Sequence, residues 1–168
     1  MAGIQGDKTL RINLRNFLSL HLPTIILILV GIGILSYLSF DKYFVQVFVV
    51  MWILDLLPAL YLHSTYLSKN QGEEYEVRDS ELIRRKDGKE TIYKNDEIEK
   101  IIFYLSPALY KNSNFHLLAI EGYHYAVVKL KSGEELTLTC LLSPRIDKSL
   151  KQMRGVLFEK RKRLFCMI

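Results

Sequence analysis

The sequence predicts a helical membrane hairpin joined to an α+β domain, in which six or seven antiparallel strands precede one C-terminal helix. Two apolar runs of equal length, residues 22–40 and 44–62, predict the hairpin. Alternating apolar and polar residues between turn signals predict the strands in residues 73–142. Apolar residues at helical spacing then predict the last helix: Ile146, Leu150, Met153 and Leu157.

Length and composition favour two transmembrane helices in the apolar part of the chain. A helix of 19 residues extends about 28 Å, close to the hydrocarbon thickness of a bilayer. A secretory signal peptide is the competing interpretation of the first run. That run is too long for one, begins after 21 other residues, and is followed at once by a second span. Neither run has the polar face of a soluble core helix.

The charges beside the two runs predict the orientation. Lys8, Arg11 and Arg15 precede the first run, whereas the hinge between the runs holds only Asp41 and Lys42. Lysine and arginine collect on the cytoplasmic side of membrane proteins. We therefore expect a multi-pass protein with both termini in the cytoplasm and the hinge outside.

The segment before the first run has two possible structures. Apolar residues recur at helical spacing in residues 7–21, which predicts an amphipathic helix lying in the cytoplasmic interface. The alternative is a helix or strand packed on the soluble domain. The expected organisation is an N-terminal segment, the hairpin, a polar linker, the folded domain and a tail: residues 1–21, 22–62, 63–72, 73–163 and 164–168.

One charged residue interrupts the second run. Asp55 lies near the expected bilayer centre, where an aspartate costs about 3 kcal/mol unless it is neutral, hydrogen-bonded or turned inward. Pro58 leaves the carbonyl of Leu54 without its usual donor. Gly31 and Gly33 of the first run lie at a similar depth and would allow close packing of the helices. Asp55 is either a contact with a partner membrane helix or a proton-sensitive site, or a neutral aspartic acid bonded within the hairpin.

The domain after the hairpin resembles a known family. The extended segment Tyr75–Asp79 ends at a turn and leads into the basic strand Leu82–Arg85, a strand meander and one amphipathic helix. This order is similar to that of the bacterial membrane-anchored pleckstrin-homology-like (PH-like) domains, over about residues 73–163. The resemblance implies a bent two-sheet β-barrel plugged by the C-terminal helix, in a protein of the bacterial inner membrane. It implies little about ligands, because this fold serves lipid, peptide and scaffold roles.

No motif for catalysis, cofactor binding or metal binding is present in the sequence. The four histidines show no metal-ligand spacing, the nine glycines form no phosphate-binding loop, and no Gly-x-Ser-x-Gly elbow occurs. The formal net charge of +5 suits an anionic membrane surface but is too weak to indicate nucleic acid. We therefore expect a non-enzymatic protein without a cofactor. The two cysteines, in a segment placed in the reducing cytosol, are expected to remain free.

Two basic clusters are candidates for contact with anionic lipid. The first is Arg84, Arg85 and Lys86 beside a predicted turn, and the second is Lys160, Arg161, Lys162 and Arg163 at the end of the predicted helix. The leading hypothesis is an inner-membrane protein that presents its PH-like domain to a membrane or cytosolic protein partner, or to the lipid surface. The alternative is a small subunit of a larger membrane complex, in which the hairpin around Asp55 makes the partner contact.

Overall fold

The computed structural model describes residues 8–37, 41–113 and 118–168. Eight strands and four α-helices follow one another through these residues. In chain order they are β1 (Lys8–Arg11), α1 (Leu14–Tyr37), α2 (Lys42–Asn70), β2 (Glu73–Val77), β3 (Glu81–Lys86), β4 (Lys89–Lys94), β5 (Ile98–Leu105), α3 (Pro107–Tyr110), β6 (Tyr125–Leu130), β7 (Glu135–Thr139), α4 (Ile146–Leu150) and β8 (Leu157–Lys162). A 3₁₀ helix over Ala119–Gly122 precedes β6.

The strands form two four-stranded sheets. The first has the order β1-β2-β3-β4 and is antiparallel throughout, and the second has the order β7-β6-β5-β8 with β8 parallel to β5. A hydrophobic core between the sheets contains Tyr75, Leu82, Phe103 and Val128. The two-sheet α+β architecture agrees with the expectation, although there are eight strands rather than six or seven and the last pairing is parallel.

Two tight turns connect neighbouring antiparallel strands. Asp87 and Gly88 connect β3 to β4 with φ angles of 51° and 74°, the left-handed backbone that a two-residue hairpin turn requires. Gly133, with φ of 92°, lies in the turn between β6 and β7. Part of the expected transmembrane run, residues 38–40, lies outside the described residues.

The N-terminal segment is a strand at its start, so the predicted interfacial helix is wrong there. Leu10 of β1 pairs with Tyr75 of β2 and is buried in the core. Helix α1 begins only at Leu14, where Asn13 accepts a hydrogen bond from the backbone N–H of Asn16 at 2.8 Å. The alternative interpretation, a strand packed on the domain, describes Lys8–Arg11, whereas residues 14–21 belong to α1.

The predicted long C-terminal helix is also wrong. Ile146, Leu150 and Met153 are buried as the helical spacing required, but the helix ends at Leu150. Residues 151–155 form a turn, and Gly155 within it adopts a φ of 74°, a left-handed conformation that glycine allows. The following residues then alternate as strand β8: Phe158 stacks on Phe103 of the core, whereas Leu157 is 65% exposed.

Helix α2 continues well beyond the predicted span, and residues 63–70 form its last two turns rather than part of a polar linker. Its second half lies on the outer face of the second sheet, which contains strands β5 to β8 and is called the β5–β8 sheet below. Ala59, Leu62 and Tyr66 are at most 3% exposed and pack against the side chains of Tyr125 and Val127. Ala126 and Val128 face the other way, into the core between the sheets, so strand β6 is buried on both faces.

The last residue of α2 ties the helix to both sheets. Asn70 is fully buried, and its Nδ2 donates to the carbonyl of Thr137 at 2.8 Å and to Oε2 of Glu73 at 3.1 Å. Its Oδ1 accepts the N–H of Thr139 at 2.9 Å. Glu73 belongs to β2 and the two threonines to β7. One amide therefore fixes the end of α2 relative to both layers.

Candidate functional site

The first part of the candidate site is the junction between the helical hairpin and the domain. Asp55 lies half-way along α2, and its Oδ1 accepts a hydrogen bond from the backbone N–H of Ala119 at 2.9 Å. Ala119 is the first residue of the 3₁₀ helix. The carboxyl group thus satisfies a backbone donor of the domain, which lies outside the hairpin. Sequence reasoning missed this partner because nothing local to Asp55 indicates residues 64 positions away.

A cleft of about 390 Å³ opens between α1, α2 and the start of the 3₁₀ helix. Its walls are apolar, and Asp55 is the charged residue in its described lining, which includes Leu27, Gly31, Phe48, Trp52 and Leu118. The two helices come close at Gly31: a Cβ atom there would lie 2.9 Å from Cζ2 of Trp52 and 3.1 Å from Cε1 of Phe48. Gly31 therefore makes room for the indole ring against α1.

The other two residues expected in this group lie elsewhere. No other described residue has an atom within 4 Å of where a Cβ of Gly33 would be, so among these residues it makes no close packing contact. Pro58 is exposed on α2, and the helix continues through it to Asn70. The structure thus brings together Asp55 and Gly31 and leaves Gly33 and Pro58 outside the cleft.

An aromatic cluster lies at the domain end of the hairpin. The ring centroids of His21 and His63 are 5.3 Å apart, and Phe17 packs against both histidines. Nδ1 of His63 lies 3.3 Å from the hydroxyl of Tyr123, next to the buried Tyr66. This cluster packs the start of α1 and the second half of α2 on the domain.

The first basic cluster lies within a network of acidic residues. Arg84 and Lys86 both pair with Glu73, and Arg85 pairs with Glu76 at 2.8 Å and with Glu90 at 2.7 Å. These pairs neutralise most of the charge that the sequence suggested was available for lipid. The tyrosine hydroxyl of β2 also donates to Glu73, at 2.8 Å.

The surroundings of Glu73 favour its ionised form. Burial alone would raise the pKa of this carboxyl group, but hydrogen bonds from Arg84, Tyr75, Lys86 and Asn70 outweigh that effect and lower its pKa to about 2 from an ordinary 4.5. Because the folded-state pKa is depressed, the stabilisation is fully present above about pH 4.5 and is lost as the pH falls towards 2.

The second basic cluster is on strand β8 and the residue after it, not on a helix. Arg161 pairs with Glu159, and the guanidinium of Arg163 lies 4.4 Å from the ring centroid of Tyr104 and donates to the hydroxyl of Tyr125 at 3.0 Å. Lys160 and Lys162 have no ion pair among the described residues. Arg163 likewise has no ion pair among these residues, although its guanidinium is hydrogen-bonded to Tyr125.

The C-terminal tail follows this cluster and is attached to α2. The hydroxyl of Tyr66 donates to the carbonyl of Cys166, and the hydroxyl of Tyr125 donates to that of Met167 at 3.1 Å. Four tail side chains are exposed and apolar: Leu164, Phe165, Met167 and Ile168.

The two cysteines are free and buried, and burial raises the pKa of each thiol to about 12. Across residues 8–37, 41–113 and 118–168, no group of histidine, cysteine and acidic side chains is arranged to hold a metal ion.

Comparison with known proteins identifies the family. A family model described as a PH domain matches residues 9–148, most of the chain. The chain belongs to the PH domain family. No curated protein matches the chain. PH domains are typically non-catalytic binding modules that bind lipids or proteins.

The matched region clarifies the organisation of this PH domain. It begins in β1 and runs through both helices, whereas the sequence resemblance began only at residue 73. Both helices therefore lie within the matched region, between the first strand of the domain and β2. Strand β8 and the terminal basic cluster lie beyond the match.

Replacing Glu73 by glutamine should remove the part of the unfolding free energy that depends on ionisation of Glu73. We expect the E73Q variant to lose about 3 kcal/mol of unfolding free energy at pH 7, because Arg84 keeps its charge in a half-buried site and only the more distant Glu134, at 3.9 Å, remains as its partner. The loss should shrink between pH 4.5 and pH 2. Denaturant unfolding followed by circular dichroism at several pH values measures both effects. E74Q, a change of the neighbouring residue in β2, is the matched control, and an equal loss at all pH values would contradict the assignment.

Replacing Asp55 should loosen the 3₁₀ helix only when the acceptor is lost. Leucine at position 55 leaves the Ala119 N–H without its acceptor, so we expect amide exchange in residues 118–122 to accelerate about tenfold. Asparagine keeps an acceptor oxygen and should leave the exchange rate nearly unchanged. Hydrogen–deuterium exchange of the full chain in detergent, read by mass spectrometry, distinguishes the two variants. Equal rates in D55L and wild type would show that this bond does not hold the segment.

Proposed function

We propose that this PH domain is a binding module anchored in a bilayer by helices α1 and α2. Both helices are long and apolar enough to cross a membrane. Their side chains remain largely uncovered by the protein: Leu29 is 63% and Leu54 is 69% exposed. Exposure of this much apolar helix surface is the observation that carries the proposal, because water would not stabilise it.

The proposed orientation places the PH domain and both termini on the cytoplasmic face of a bacterial inner membrane. Arg11 and Arg15 lie at the start of α1. The start of α1 and the end of α2 both pack on the domain, so these arginines lie on the domain side of the hairpin. The hinge at Asp41 and Lys42 lies at the other end of the helices. Positive charge on the domain side supports this orientation.

The domain is held in one position at the membrane rather than on a linker. Helix α2 runs without interruption from the hinge into the core, where Tyr66 and Asn70 are buried. In the proposed orientation the module presents a constant surface to a cytosolic or membrane protein, or to the lipid surface. The geometry supports a module that binds at the membrane more than a hairpin subunit built around Asp55, because this chain itself uses Oδ1 of that residue.

The terminal basic cluster supports contact between the domain and anionic lipid. Lys160 and Lys162 lie on the strand that leads into the apolar tail. The backbone carbonyl of Cys166 in that tail accepts a hydrogen bond from Tyr66 of α2. Lysines beside exposed apolar side chains are typical of segments that lie on a membrane surface. Because acidic residues neutralise the first cluster, we assign lipid contact to the terminal cluster.

Labelling of introduced cysteines tests the anchoring and its direction. K42C places a thiol at the hinge, and K89C places one on the exposed start of β4. In intact cells a membrane-impermeant maleimide should label K42C but not K89C, and K89C should react only after permeabilisation. The wild-type chain is the control, because its buried thiols should react slowly. The reverse pattern, or release of the protein by alkaline carbonate, would overturn the proposal.

Charge removal on β8 tests the lipid contact. The full chain is reconstituted in phosphatidylcholine with or without phosphatidylglycerol, and amide exchange of residues 157–168 is measured. Phosphatidylglycerol should slow the exchange roughly tenfold in the wild type, since each lysine near an anionic surface contributes about 1 kcal/mol.

The double variant K160Q/K162Q should lose this protection, as should the wild type in high salt. The matched control, K89Q/K94Q, removes two exposed lysines from β4 and should keep it. Protection that survives K160Q/K162Q would remove the terminal cluster from the proposal.

A further inference from the structure

The cleft between the helices combines apolar walls with one acidic group. Gly31 and Trp52 form its narrow part between α1 and α2, and Leu118 covers it from the domain side. Asp55 lies where the helices meet the 3₁₀ helix. The volume of the cleft, about 390 Å³, is within the range of small-molecule sites, roughly 300–1,000 Å³. If the hairpin crosses a bilayer, as proposed above, this cleft is open to lipid.

Asp55 has one oxygen free for a ligand. Oδ1 accepts the Ala119 N–H at 2.9 Å, and within the described part of the chain Oδ2 accepts no hydrogen bond. The described lining contains no lysine, arginine or histidine that could pair with the carboxylate. A carboxylate beside apolar surface needs a partner, because desolvation without one is costly. The complementary group is a cation that can donate a hydrogen bond.

We propose that the cleft binds one membrane lipid whose head group carries a primary ammonium. One acyl chain of this lipid lies against Trp52 between the helices, and the ammonium group of its head group donates a hydrogen bond to Oδ2 of Asp55. A choline head group is also cationic but has no N–H to donate, and a glycerol head group has no positive charge. The site should therefore prefer phosphatidylethanolamine to phosphatidylcholine and to phosphatidylglycerol. The inference rests on the proposed membrane anchoring.

Trp52 provides the measurement, because it is the single tryptophan of the chain and lines the cleft. The full-length protein is reconstituted in phosphatidylcholine vesicles that contain a minor fraction of one brominated lipid. Phosphatidylethanolamine, phosphatidylcholine and phosphatidylglycerol with the same brominated chains are compared as quenchers of Trp52 fluorescence. The relative affinity for each lipid follows from the extent of quenching. We expect about tenfold preference for the ethanolamine lipid, the gain from a charge-assisted hydrogen bond.

Two asparagine variants separate the site from general electrostatics. D55N keeps the acceptor for Ala119 but removes the charge, and should abolish the preference. D87N makes the same change at the distant β3–β4 turn, where asparagine tolerates the positive φ, and should retain it. The net charge of +5 favours phosphatidylglycerol over the ethanolamine lipid, so it cannot produce the expected order.

The outcomes distinguish this inference from the proposed function. Equal quenching by the three lipids, or a preference that survives D55N, would overturn the lipid site while leaving the anchoring in place. Absence of quenching by any brominated lipid would show that Trp52 does not lie in the bilayer, and would overturn both.

Discussion

The packing of α2 on the outer face of the β5–β8 sheet is the contact on which the rest of the structure depends. Ala59, Leu62 and Tyr66 are covered by this sheet, and Asn70 then bonds to both sheets. Without the helix, the aromatic face around Tyr125 would be open to water. The hairpin is thus part of the folded core and cannot be separated from the domain as an independent anchor.

This packing changes how the acidic residue in the apolar run should be understood. The domain covers one face of α2 from Asp55 onward, while the opposite face remains apolar and exposed as far as Tyr61. In the proposed orientation, the 3₁₀ helix lies beside α2 from Asp55 onward and enters the membrane interface with it. Asp55 then meets a backbone donor near the membrane boundary, which avoids the cost of an unpaired carboxyl group in hydrocarbon.

Features determined by local sequence could be predicted, and features determined by distant contacts could not. The two apolar helices and the Asp87-Gly88 turn follow from composition and backbone preference, so the sequence was sufficient for them. The role of β1 depends on pairing with a strand more than 60 residues away, and an amphipathic spacing imitated a helix there. The periodicity of Ile146, Leu150 and Met153 also concealed the end of α4 at Leu150 and the turn at Gly155 that precedes β8. The ion pairs of Arg84 and Arg85 also required the sheet register, since basic residues in sequence carry no information about their partners.

In the proposed membrane-anchored arrangement, the fixed position of the domain has a consequence for binding. A module on a flexible linker loses orientational freedom when it engages a partner, and that loss reduces the affinity. Here α2 packs on the domain, Asp55 of α2 is hydrogen-bonded to Ala119, and Tyr66 of α2 is hydrogen-bonded to the C-terminal tail. These contacts restrict the orientation of the domain relative to the helices before any partner arrives. A surface that carries only a few unpaired charges can then contribute to binding without forming a deep pocket. The surface of β8 around Lys160 and Lys162 is of this kind. This argument favours recognition by several modest contacts at the bilayer surface over one strong basic site.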